Sequence, residues 1–142
     1  MNYKTEKIST VILITFFLFS LTACAKKVSF LTSSTVPAAR GYVKINQDKN
    51  KNFDIQIRLS GLAEVQRLQP AKQGYVVWMI SQENIAKNIG RLISSSGFFS
   101  KSLKASFETV SSLKPIKIFI TAEEDINIQY PAGLNILTTN QF

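Results

Sequence analysis

From Phe53 to Leu59 the chain alternates without a fault: Phe53, Ile55, Ile57 and Leu59 fall on one face, Asp54, Gln56 and Arg58 on the other. A period of two marks a strand with one wet side, so this stretch predicts a half-buried antiparallel strand. Tyr75 to Ser81 (YVVWMIS) differs, because it is apolar on both faces. Such a run belongs in the middle of a sandwich or under a loop, and is expected to be the best-buried element. Trp78 inside it is expected to be core and not a ligand-stacking surface.

Shorter runs flank these two. Gly41–Asn46 (GYVKIN) predicts a strand near which folding begins, followed by a polar turn over Gln47–Asn52. Lys87–Ile93 (KNIGRLI) fits either a helix or a strand; Gly90 costs a helix about 1 kcal/mol relative to Ala, which favours the strand. Leu103–Val110 alternates, Pro115–Thr121 (PIKIFIT) sets Ile116, Ile118 and Ile120 on one face, Ile126–Tyr130 (INIQY) alternates again, and Leu134–Thr138 closes the series. Between them Ala122–Asp125 (AEED) reads as an exposed acidic turn; its oxygens lack the glycine-containing loop of a calcium site. Seven or eight short strands without a strong helix predict an all-β fold, an antiparallel immunoglobulin-like β-sandwich over residues 40–142. The runs are shorter than the ~9–11 residues of a transmembrane strand.

The start of the chain follows another pattern. Residues 2–7 are polar and charged, and residues 8–21 form an almost wholly apolar run of about 14 residues. That order is the n-region and h-region of a secretory signal, and the run is short of the ~20 residues that a spanning helix needs. Directly after it stand Leu21, Thr22, Ala23 and Cys24, with Cys24 the single cysteine of the chain. This tetrad resembles the lipobox of bacterial lipoproteins. The resemblance implies a signal peptide over residues 1–23, a Cys24 that becomes the first residue and carries acyl chains on its thiol and amine, and attachment to the membrane through those chains without a span. Each buried methylene contributes ~0.8 kcal/mol, so two or more chains anchor stably. Ala25 stands where lipoproteins retained in a Gram-negative inner membrane often carry Asp, which implies the outer membrane in such a cell. Residues 24–39 carry no sustained period and read as a lipidated tether.

Composition narrows the chemistry. Histidine is absent and cysteine occurs once, which excludes Ser-His-Asp and Cys-His arrangements, His/Cys zinc clusters and an internal disulfide. Loss of residues 1–23 would leave 119 of the 142 residues, one domain's worth, with 15 of the 17 basic and 8 of the 9 acidic residues. The basic residues are scattered from Lys26 to Lys117, as on a solvated surface, and no nucleic-acid motif accompanies them.

A second resemblance covers about residues 40–138. Ile55–Leu62 (IQIRLSGL), Tyr75-Val76-Val77-Trp78, Asn88–Leu92 (NIGRL), Ile120–Glu123 (ITAE) and Tyr130–Gly133 (YPAG) follow one another in an order similar to that of the extracytoplasmic C-terminal domain of anti-sigma-K-type factors. It implies an envelope-facing β-sandwich that acts as an interaction or sensing module. This chain shows neither the sigma-binding helical domain nor the spanning helix of that family, so sigma-factor inhibition is not implied. The expectation is therefore a non-enzymatic envelope lipoprotein that needs no cofactor or metal. Its partners would be the membrane, through acyl chains on Cys24, and another envelope protein, with no nucleic acid. A carrier of small ligands, with a cavity between the sheets, is the alternative.

Overall fold

A computed structural model describes residues 25–95 and 103–142. The element order is β1 (Lys26–Ser29), β2 (Arg40–Gln47), β3 (Phe53–Leu62), a 3-10 turn (Val65–Arg67), β4 (Gly74–Ser81), β5 (Ala86–Arg91), β6 (Ile93–Ser95), β7 (Leu103–Ser111), β8 (Pro115–Glu123) and β9 (Leu134–Thr138). Two antiparallel sheets result, one ordered β1-β2-β3-β7-β6 and the other β5-β4-β8-β9. Apart from the extra edge strand β1, this is the Greek-key arrangement of an immunoglobulin-like sandwich, with β4 in the place of strand C and β8 in that of strand F.

Alternation builds the core. On β3, Ile55, Ile57 and Leu59 are buried, and across the sandwich Tyr75, Val77 and Met79 of β4 meet Ile118, Ile120 and Ala122 of β8 in the same cluster. β5 is a strand, as Gly90 suggested. Gly90 has φ +142, and a side-chain carbon there would stand 2.6 Å from Phe107 Cε2 of β7. The glycine thus serves the edge of the sandwich twice, by its backbone conformation and by the room it leaves for an aromatic ring.

Two expectations need correction. The stretch over residues 25–39, read as a tether, is largely folded. Lys26–Ser29 pairs with β2, with Val28 opposite Val43, and Ser33, Val36 and Ala39 are buried. Phe30 then bridges to Thr139 beside β9, so this segment passes from the edge of one sheet to the edge of the other. Among the described residues the sandwich accordingly includes Lys26–Ser29, upstream of Arg40, and counts nine strands. Second, Ile126–Tyr130 forms no strand; it lies within a loop over residues 124–133 that folds back on the second sheet.

Candidate functional site

Because β4 is apolar on both faces, its outward residues need a cover of their own. Tyr75, Val77 and Met79 join the central core, while Val76 and Trp78 point the other way, and both are fully buried. On β8 the outward residues opposite them are Thr121, across from Val76, and Phe119, across from Trp78. The indole of Trp78 stacks on Phe119 with ring centroids 6.1 Å apart.

The cover is the loop over residues 124–133. Ile126 lies against Gly74, and Asn88 Nδ2 donates to the carbonyls of Ile126 (3.3 Å) and Ile128 (2.9 Å). The same Asn88 accepts the Gly90 N–H through Oδ1 at 3.0 Å, so one amide ties the loop to the edge strand β5. At the other end of the loop Gly133 sits so close to Ala122 and Glu123 that no side chain fits; a carbon there would be 2.6 Å from Glu123 Oε2.

A buried hydrogen-bond chain runs beneath this roof. Trp78 Nε1 donates to Thr121 Oγ1 at 2.7 Å, Thr121 donates to Glu123 Oε1 at 2.5 Å, and the Ala132 N–H reaches the same oxygen at 3.3 Å. Glu123 is only 2% exposed and ends β8, so it is no part of an exposed turn, contrary to expectation. Glu124 and Asp125 are exposed as expected. Lys72 hydrogen-bonds Glu124 at 2.8 Å; that bond and the lysine's charge hold the Glu124 carboxyl below its ordinary value.

Trp78, Asn88, Thr121, Glu123 and the turn Tyr130–Gly133 all belong to this roofed face. Beside it an open groove of about 710 Å³ separates β5 from the loop, lined among others by Lys87, Arg91, Ile126 and Gln129. Its rim carries two large apolar side chains left in solvent, Tyr130 (72% exposed) and Ile85 (53%). An amide-rich groove with two cations and an exposed ring can take an extended or loop-like partner by hydrogen bonds and ring contact.

Sequence reasoning missed Glu123 and Asn88. A usable signal was present, since a strand apolar on both faces demands a cover, and Thr121 with Glu123, two apart on the next strand, places polar groups on that covered face. Leu21, Thr22, Ala23 and Cys24 lie outside the described residues. Among the described residues no group of three or more Cys, Asp or Glu side chains is arranged to hold a metal, and no helix is long and apolar enough to cross a membrane. No protein-family model, curated protein or solved structure matches the chain.

Proposed function

We propose that this protein is a lipid-anchored, non-enzymatic module of the bacterial envelope, acylated at Cys24, whose β-sandwich makes protein contacts through the groove beside β5. The observation that carries the anchor is the tetrad Leu21-Thr22-Ala23-Cys24, set directly after an apolar run too short to span and holding the only thiol of the chain. The resemblance of residues 40–138 to the extracytoplasmic domain of anti-sigma-K-type factors supports an envelope-facing role without implying a sigma factor. Support for protein contact over small-ligand carriage comes from the packing. Between the sheets the described side chains of Ile55, Ile57, Val77 and Ile120 are fully buried against one another, while the exposed aromatic and the groove lie outside.

Two measurements test this reading. Acyl labelling and membrane fractionation of Cys24→Ala should show a chain that is unlabelled and no longer processed; labelling equal to the unaltered protein would sink the anchor. Photo-crosslinkers placed at Tyr130 and, as a control, at Val110 (65% exposed on the first sheet) should differ, with a discrete adduct in intact cells only from position 130. Equal adducts from both positions would remove the groove from the reading.

A further inference from the structure

We infer that the end of the sandwich nearest Cys24 is a lipid-docking face that rests on anionic headgroups of the membrane carrying the protein. The inference builds on acylation at Cys24, and it follows from where β1 begins. Lys26 is already paired with β2, and Cys24 precedes it by two residues. Two extended residues span at most ~7 Å, so a thioether lipid at Cys24 brings this pole to the headgroups with no tether between them.

The pole is built for that contact. Lys26 and Lys114 stand at a hollow of about 180 Å³ whose other walls are Ile45, Gln47, Phe53, Pro115 and Phe142. Lys26 Nζ is 5.5 Å from the centre of the Phe142 ring, a cation above an apolar surface. The neighbouring turn between β2 and β3 adds Lys49 and Lys51. All four lysines are exposed, and none has an acidic side chain within 4.0 Å among the described residues.

Three acids share this end. Asp54 follows Phe53 on β3, opposite Asn46, and accepts from Gln56 Nε2 at 3.0 Å. Asp48 is turned into its own loop, where it accepts from the N–H groups of Asn50 and Asn52, each at 2.8 Å, and from Asn52 Nδ2 at 3.1 Å. Glu83 lies in the turn after β4, whose last residue, Ser81, pairs with Pro115. Four free ammonium groups against these three carboxylates, of which Asp48 and Asp54 are held by hydrogen bonds, leave the pole positive.

The opposite pole pairs much of its charge. There Arg67 pairs with Glu64 at 2.9 Å and Lys72 with Glu124 at 2.8 Å, while Asp125 adds a negative charge and Arg40 and Lys104, both opposite Ser60, add positive ones. The fold thus gathers lysines from three separate stretches of the sequence, Lys26, Lys49 with Lys51, and Lys114, at the end that the anchor would press on the bilayer. Phosphate headgroups over glycerol and acyl chain match lysines around an apolar hollow, in charge and in depth.

The test uses the full protein extracted from its host membrane and reconstituted in vesicles of phosphatidylcholine alone or with phosphatidylglycerol. An amine-reactive reagent then footprints the lysines, and mass spectrometry reads both the footprint and the acyl state of Cys24. Lys49, Lys51 and Lys114 should react about fivefold more slowly in the anionic vesicles, with protection lost in about 1 M salt, while Lys104 near the other pole should not change. Equal reactivity in the two vesicles, or protection that salt leaves untouched, overturns the docking face while leaving the anchor standing. An unacylated Cys24 in the same sample overturns the anchor itself and this inference with it. Lys49→Glu/Lys51→Glu, which alters only exposed turn residues, should cut the remaining protection of Lys114 to near the neutral-vesicle level.

Discussion

The two sheets of this sandwich treat their outer faces in opposite ways. The first sheet leaves its outer side to water: Tyr42, Lys44, Gln56, Arg58 and Glu108 are exposed or half-buried, and β3 alternates buried and partly exposed positions along most of its length. The second sheet buries much of its outer side beneath the loop over residues 124–133, with Trp78, Thr121 and Glu123 under it. A solvated face asks only for alternation. A roofed face asks for a second small core, a hydrogen-bond partner for every polar group trapped there, and a loop that stays in place. The groove and the exposed Tyr130 exist because that loop is held, so the second sheet is where stability and surface shape are coupled.

The largest effect that would break this contrast is loss of the ring at the centre of the roofed face. Trp78→Ala should destabilise the protein by ~3–5 kcal/mol through lost packing. It also removes the indole N–H that the Thr121 hydroxyl accepts, leaving that hydroxyl its bond to Glu123 alone. Chemical denaturation reads the loss, and amide exchange should report faster opening of residues 126–132 than of β3. A variant that melts like the unaltered protein would mean that the outer side of the second sheet is not a core.

Next in size is a pH effect from the inward side of the same strand. Tyr75 faces the inter-sheet core and donates its phenol hydrogen to the Ala63 carbonyl at 2.8 Å. Burial raises its pKa from 10.0 to about 12. The folded state therefore keeps the proton over a range in which the unfolded chain gives it up. The resulting stability is fully present below about pH 10 and is lost as pH rises toward about 12, by up to about 3 kcal/mol. Tyr75→Phe should cost ~1 kcal/mol near neutral pH and flatten that part of the stability curve. An unchanged slope between pH 10 and 12 in the variant would detach the effect from Tyr75.

How much of this could be read in advance also divides along the contrast. The central strands of the solvated sheet were legible because their environment repeats their local period: Phe53–Leu59 alternates and forms β3, and Leu103–Val110 alternates and forms β7. The two-sided burial of Tyr75–Ser81 is equally plain and implies a cover such as a loop, but the local pattern does not say which loop provides it. The segment that provides it, Ile126–Tyr130, alternates locally like a strand, yet Ile126 and Ile128 serve the roof; tertiary demand over Gly74 and Asn88 outweighs local pattern. Glu123 sat in a run of three acids that reads as a turn, and only the adjacent Thr121 hydroxyl and Ala132 N–H make its burial affordable. β1 was missed for a related reason. Lys26–Ser29 has one large apolar residue, Val28, and its extended state is set by pairing with Val43, distant in sequence.

The smallest effect sharpens the comparison from the solvated side. Arg58 on β3 and Glu108 on β7 form an ion pair at 2.5 Å, diagonal across the outer face of the first sheet, with side chains 43% and 56% exposed. Exposed pairs of this kind gain little, since water and salt screen the attraction and two long side chains must be held still. Arg58→Ala should therefore change stability by less than ~1 kcal/mol, and a double-mutant cycle with Glu108→Ala should give a coupling of ~0.2–1 kcal/mol that fades in high salt. A coupling above ~2 kcal/mol would place this pair in a partly dehydrated setting, and the first sheet would then have a cover of its own, as the second has.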